Sequence, residues 1–99
     1  MRDDATDQVR LTLPPDADLR GVVEVAVAVL ARRIGLDDAA VREARSAAGQ
    51  AFDEACAAAG DEPVDVELSL GQRDVAAVIR SGAIERRVSA ARPPSDPPR

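Results

Sequence analysis

Residues 9 to 13 alternate between apolar and polar side chains, which predicts a half-buried β-strand ended by the two prolines that follow. The next segment, Leu19 to Ile34, fits two patterns, because its valines alternate as in a strand while its apolar residues also recur at helical spacing. Its length of about 16 residues favours a helix, since strands typically have about five or six. Asp16 or Asp18 can cap this helix, and Gly35 stands where a helix commonly ends.

This first helix is apolar on more than one side, a pattern typical of helices that are buried on two sides. Val22, Val25, Val29 and their neighbours on this helix are our candidate interface with another chain. The alternative interpretation is that these valines fill the core of the chain itself.

A second helix is predicted between Asp37 or Asp38, either of which can cap its start, and Gly60, which can end it. Apolar residues recur between these limits at steps of three and four, as expected for one buried helix face. These residues are Val41, Ala44, Ala48, Phe52, Ala55 and Ala59.

Strands are predicted in the second half of the chain. Residues 64–70 alternate between apolar and polar, residues 71–74 form a hairpin connection, and residues 75–79 form the return strand. Residues 84–88 add a short strand or a turn. The element order β-α-α-β-β predicts an α+β two-layer sandwich, with two helices packed on a small, mostly antiparallel sheet.

A chain of 99 residues has room for one domain. We predict a disordered N-terminus at residues 1–7, a single α+β domain at residues 8–90 and a disordered proline-rich tail at residues 91–99. The apolar residues are mostly alanine and valine, with Phe52 as the single aromatic residue, so the core is thin and a partner chain would help to cover it.

Missing residue types exclude several kinds of chemistry. Without histidine there is no Ser-His-Asp triad, without lysine there is no phosphate-binding lysine, and one cysteine cannot form a zinc cluster or an internal disulfide. The net charge of −5 argues against a nucleic-acid partner. No segment is long and apolar enough to indicate secretion or a membrane span, which predicts a cytoplasmic protein.

The order of these segments, together with three short stretches of sequence, resembles the front half of the anti-sigma-factor serine kinases of the RsbW/SpoIIAB type. Those kinases carry the histidine-kinase-like (GHKL) ATP-binding fold, so the resemblance implies an incomplete fold of that kind. The stretches are Leu-Thr-Leu-Pro at 11–14, Arg-Arg-Ile-Gly-Leu-Asp-Asp at 32–38 and Ala-Ala-Gly-Gln-Ala-Phe-Asp-Glu-Ala at 47–55.

The resemblance implies a nucleotide site whose main positions are altered here. Gln50 replaces the family's catalytic glutamate and cannot accept a proton, while Glu54 replaces the magnesium-binding asparagine, with Asp53 beside it. Arg80 replaces the aspartate that reads adenine, and Gly82 is the only glycine left of the following pair. The family's lid and later strands are expected to be missing, since a proline-rich tail follows instead.

We therefore predict a non-catalytic, protein-binding domain in a bacterial sigma-factor or anti-sigma-factor circuit, which regulates transcription without ATP, metal or another cofactor. Its partner would be a sigma factor or an anti-sigma antagonist, with a homodimer as a further prediction. The acidic pair Asp53 and Glu54 joins the valines of the first helix as candidate interface. Two alternatives stay open: an anti-sigma serine kinase whose Glu54 holds magnesium, and a small structural or assembly subunit.

Overall fold

A four-stranded antiparallel sheet carries two helices on one of its faces in the computed structural model, which describes residues 7–82 and 84–92. The predicted α+β two-layer sandwich is confirmed, with the element order β-α-α-β-β-β. The elements are β1 (Asp7–Leu13), a 3-10 turn (Ala17–Leu19), α1 (Arg20–Arg33), α2 (Asp38–Ala59), β2 (Val64–Leu70), β3 (Asp74–Ser81) and β4 (Ile84–Ala91).

The strands follow one another across the sheet in the order β1-β2-β3-β4. The chain leaves β1, passes through both helices and returns as β2, which pairs with β1 so that Leu11 lies opposite Val66. The remaining strands form a simple meander, in which Ala77 of β3 lies opposite Val88 of β4. Both β1 and β4 are therefore edge strands of this sheet.

The ends of the domain differ from the prediction by short stretches. Asp7, predicted to be disordered, belongs to β1, and Ala91, predicted to begin the tail, is the last residue of β4. The ambiguous segment after residue 83 is a full strand, and its pattern is weak because Arg86 occupies a position on the helix-covered face, opposite Ile79. Of the two segments predicted to be disordered, residues 1–6 and 93–99 lie outside the described residues. Arg92, which follows β4, is described and exposed.

The helix ends follow the chemistry of their capping residues. The Asp16 carboxylate accepts a hydrogen bond from the Asp18 backbone N–H and so caps the 3-10 turn that leads into α1. The Asp37 carboxylate accepts a hydrogen bond from the Ala40 N–H, 2.8 Å away, and caps α2. Gly35, at the end of α1, has a φ of 88°, a conformation that glycine adopts at little cost.

The main core lies between the helices and the sheet. Phe52 is fully buried at its centre, where alanines on the same face of α2 let the helix approach the strands closely. The other fully buried large side chains come from α1 and from β2 and β3. They are Val23, Val27, Val64, Val66, Leu68 and Ile79.

The two helices cover different parts of the sheet. α2 packs over β3 and β4, whereas α1 contacts β2 and β3, so α1 lies on the side of the molecule nearer β1. Within the described residues, neither helix is long and apolar enough to cross a membrane.

Candidate functional site

The five positions that the resemblance assigns to a nucleotide site are not gathered in one cavity. Gln50, Asp53 and Glu54 lie on α2, above the helix-covered face of the sheet. Arg80 is an exposed residue of β3. The residues on either side of it in the strand, Ile79 and Ser81, are buried and face the helices. Since successive side chains of a strand point to opposite faces, Arg80 lies on the far side of the sheet from α2.

Asp53 is held by an arginine of the first helix. The Arg20 guanidinium forms an ion pair with Asp53, and its Nε donates a hydrogen bond to Glu24, 2.8 Å away. The hydrogen bond to Glu24 is the main cause of the raised pKa of Arg20, so the guanidinium stays charged. Gly49 makes this approach possible, because a Cβ there would lie 2.5 Å from both Arg20 Nε and a Glu24 carboxylate oxygen.

Glu54 pairs with an arginine of the sheet rather than of the first helix. Arg86, on the edge strand β4, donates a hydrogen bond from Nε to the Glu54 carboxylate, 2.8 Å away, and so joins α2 to β4. Both side chains are about half exposed, and exposed ion pairs contribute only about 0–1 kcal/mol. The two carboxylates that we predicted as part of the candidate interface are therefore already paired with arginines of the same chain.

Arg80 and Gly82 line an open groove at one end of the sheet. The groove also contains Glu62, Asp65 and Glu85, so the carboxylates outnumber the guanidinium. The hydrogen bond to Glu85, 2.7 Å long, is the main cause of the raised pKa of Arg80. An anionic ligand such as a nucleotide phosphate would meet mostly negative charge in this groove.

Cys56 lies on α2 and is partly buried. Its burial raises the pKa of the thiol, and the nearby charges of Asp53 and Asp16 raise it further. A thiol with a raised pKa is a weak nucleophile near neutral pH, as expected for a small core residue. Among residues 7–82 and 84–92, no three histidine, cysteine or acidic side chains lie together as a metal site would require.

The valines of α1 form the other predicted surface. Val22, Val25 and Val29 are 46%, 61% and 50% exposed, so the alternative that they fill the core of this chain is wrong. Residues two positions apart on a helix lie on nearly opposite sides, and Val22 is two positions from both Arg20 and Glu24. Since Arg20 reaches toward α2, the three valines lie on the side of α1 away from α2. We call Val22, Val25 and Val29 the valine stripe.

Three features of these surfaces were not predicted from the sequence: the exposure of Val9, and the ion pairs that Arg20 and Arg86 form with the acidic pair of α2. Val9 is the fourth exposed large hydrophobic residue of the described chain, at 46%, and lies opposite Leu68 on the helix-covered face of β1. Its alternation with polar residues predicted a half-buried strand, but only the strand order shows that β1 is an edge. The pairing of Arg20 and Arg86 with Asp53 and Glu54 joins positions far apart in sequence, and no local pattern predicts it.

Comparison of the sequence with protein-family models gives no match, and comparison with curated proteins gives no similar sequence. The resemblance to the anti-sigma-factor kinases therefore stays a hypothesis that rests on the stretches quoted above.

Proposed function

We propose that this chain is a non-catalytic regulatory domain that works by binding another protein, in a circuit of sigma factors and anti-sigma factors. In this proposal the domain has the helices and strands of a nucleotide-binding fold but no longer binds ATP, and it needs no metal. We place it in the cytoplasm, where such circuits control transcription.

The valine stripe is the observation that carries the proposal. Valine is a weaker helix former than alanine, and this chain uses alanine freely elsewhere on its helices. Single exposed apolar residues are common on protein surfaces, but three on one side of one helix form a continuous patch. Contact with a partner chain explains why β-branched apolar residues occupy positions where a polar or small residue would stabilise the free helix.

The chemistry of the altered positions supports the loss of catalysis. Gln50 is a neutral amide on the exposed side of α2 and cannot act as a general base. Arg80 can only donate hydrogen bonds, and the sheet separates it from Asp53 and Glu54. The sigma-factor circuit itself is supported by the resemblance of segment order and of the stretches at 11–14, 32–38 and 47–55.

Titration calorimetry with ATP and magnesium tests the loss of nucleotide binding. We expect no binding at ATP concentrations up to about 1 mM. The binding free energy of ATP would then be weaker than about −4 kcal/mol. Micromolar binding would contradict the proposal and favour the altered kinase. The variant Glu54→Gln would then show whether this carboxylate holds the magnesium, because its loss would weaken binding only when magnesium is present.

Protein binding is tested with purified candidate partners and a matched pair of variants. The domain should bind a sigma factor or an anti-sigma antagonist from the same cell, and Val25→Arg should weaken that binding at least tenfold. Ser46→Arg adds the same charge on the exposed side of α2 and should leave binding unchanged. Specific recovery of an unrelated complex would instead favour the assembly-subunit alternative.

A further inference from the structure

The arginines of the described chain fall into two groups according to their partners. Arg10, Arg20, Arg80 and Arg86 each form an ion pair with a glutamate or an aspartate. Arg87, on the open face of the sheet, and six further exposed arginines form no ion pair with another described residue. The six are Arg32, Arg33, Arg42, Arg45, Arg73 and Arg92.

Three of the six arginines surround one pocket between the helices. Arg32, from the last turn of α1, lines it together with Arg42 and Arg45 of α2. The pocket is open, has a volume of about 290 Å³ and also contains the buried Val41 and the exposed Asp38. Three guanidiniums and one carboxylate therefore meet where α1 ends and α2 begins.

The other three arginines lie at the same end of the molecule. Arg33 is the last residue of α1. The Arg92 side chain reaches the turn that follows, since a Cβ on Gly35 would lie 3.1 Å from one of its guanidinium nitrogens. The Arg92 backbone N–H donates a hydrogen bond to the Arg73 carbonyl oxygen, 2.6 Å away. We call the six arginines the basic end.

The described carboxylates near the basic end do not neutralise it. Asp37 caps α2, Asp38 lies in the arginine pocket, Glu43 faces β4, and Asp74 lies against Gly71 in the β2–β3 hairpin. Six guanidiniums outnumber these four carboxylates, although the whole chain carries a net charge of −5. The basic end is therefore a local positive surface on an acidic protein.

The helix dipoles explain only part of this surface. Arg32 and Arg33 lie in the last turn of α1, where cations stabilise the negative end of the helix. Arg42 lies in the second turn of α2, nearer the positive end of that helix, where the dipole does not favour a cation. Like charges around one pocket repel one another unless an anion lies between them. Binding of an anionic group explains why both helices present arginines here.

We propose that the basic end binds an acidic segment of a partner protein, whose glutamate or aspartate side chains enter the arginine pocket. This is a second binding surface, separate from the valine stripe. The planar guanidinium of arginine can donate two parallel hydrogen bonds to one carboxylate. A single exposed ion pair contributes little, so the open pocket would hold a small free anion only weakly. A segment with several carboxylates meets several guanidiniums at once and gains from each of them.

Other occupants fit the basic end less well. The chain's own residues 1–6 carry one arginine beside two aspartates, and residues 93–99 carry one arginine and one aspartate, so neither segment could neutralise six arginines. A nucleic acid would extend from the basic end onto a protein surface that is negative on balance. The single aromatic residue, Phe52, is fully buried and cannot stack on bases. A short acidic segment meets none of these obstacles.

Fluorescence anisotropy of the full chain with a labelled peptide of about eight glutamates tests the surface. We expect saturable binding at about 25 mM salt that weakens about tenfold by about 150 mM, because salt screens several exposed charge pairs at once. A matched peptide of glutamines is the control and should not bind. Absence of binding at low salt, or equal binding of the glutamine peptide, would overturn the inference.

Two charge reversals separate the basic end from the net charge of the chain. Arg42→Glu and Arg87→Glu change the charge equally, but only Arg42 lines the pocket. Arg42→Glu should weaken peptide binding about fivefold or more, and Arg87→Glu less than about twofold. A glutamate near the start of α2 suits the helix dipole, so Arg42→Glu should stay folded, as circular dichroism can confirm. Equal losses in the two variants would contradict binding at this end.

Competition at constant ionic strength identifies the occupant. Displacement of the peptide by a few millimolar inorganic phosphate would show a site for small anions. Tighter binding of a short DNA duplex or of anionic vesicles than of the peptide would show a different kind of partner. Any of these three results would overturn the proposal of an acidic protein segment.

The outcomes for the basic end and for the proposed function are distinguishable. A chain that binds the glutamate peptide but neither a sigma factor nor an antagonist would support the basic end and count against the proposed function. A chain that binds such a partner through Val25 but does not bind the peptide would do the reverse.

Discussion

At the scale of single residues, Ser81 shows how one polar group can join the two layers. It is the only buried polar side chain among residues 8–82 and 84–92, with 3% of its surface exposed. Its hydroxyl donates a hydrogen bond to the Ala55 carbonyl oxygen, 2.9 Å away, and so joins β3 to α2. A buried hydroxyl without a partner would be costly, which explains why this one lies against a helix backbone.

Replacing Ser81 with alanine should lower the free energy of unfolding by about 1 kcal/mol, since it removes one buried hydrogen bond. The Ala55 carbonyl lies within α2, which ends four residues later, so we expect the helix to stay intact and the loss of stability to stay near that size. Urea denaturation followed by circular dichroism measures the change. Ser89→Ala, at an exposed position on β4, is the control and should change stability little. Equal losses in both variants would show that the Ser81 hydrogen bond is not the cause.

At the scale of single elements, two glycines stand at helix ends in different backbone conformations, Gly21 inside the start of α1 and Gly60 just after the end of α2. Gly21 lies in the first turn of α1, and apart from the adjacent backbone of the helix itself nothing lies within 4 Å of the place where a Cβ would stand. Gly60 follows α2 with a φ of 61° and a ψ of −117°, a conformation that residues with a Cβ rarely adopt. Local backbone conformation, rather than available space, therefore separates these two positions.

Gly21→Ala should raise the free energy of unfolding by about 0.5–1 kcal/mol, because alanine loses less backbone entropy in a helix. Gly60→Ala should lower it by about 1 kcal/mol or more, because the required backbone conformation is strained for alanine. Thermal melts of the two variants beside the wild type measure both shifts. Shifts of the same sign would contradict this account of the helix ends.

At the scale of the whole molecule, charged side chains cross the open face of the sheet from strand to strand. Arg10 of β1 donates a hydrogen bond to Glu67 of β2, 2.9 Å away, and Arg80 of β3 lies 4.0 Å from the same carboxylate. Arg80 also bonds to Glu85 of β4. The hydrogen bond from Arg10 is the main cause of the lowered pKa of Glu67, and the charge of Arg80 also contributes.

Acid should therefore weaken the fold in part through Glu67. Its pKa in the folded chain lies below the ordinary value of 4.5, so its contribution is present above that pH and is lost as the pH falls through the lower folded value. Glu67→Gln should reduce the stability at pH 7 and flatten its decline in acid, as measured by urea denaturation at several pH values. Glu43→Gln, at an exposed position on α2, is the matched control. An unchanged acid decline in Glu67→Gln would contradict this role.

Most of the helices and strands follow from local sequence patterns. The steps of three and four in α2 and the alternation in β2 reflect the periods of helix and strand, which depend on local backbone geometry. Capping by Asp37 and termination at Gly60 are predictable for the same reason, because each concerns atoms only a few residues apart. Length resolves the ambiguity of α1, and the apolar residues on two sides of this helix are evident from their spacing along the chain.

Which surfaces these helices and strands leave exposed depends on how the whole chain packs. Strand order makes β1 an edge, the packing of α2 leaves the valine stripe uncovered, and the pleat of β3 places Arg80 on the far face from α2. Arg20 and Arg86 reach Asp53 and Glu54 across more than thirty positions of sequence. These facts depend on how distant segments pack against one another, and a local pattern carries no information about its distant neighbours.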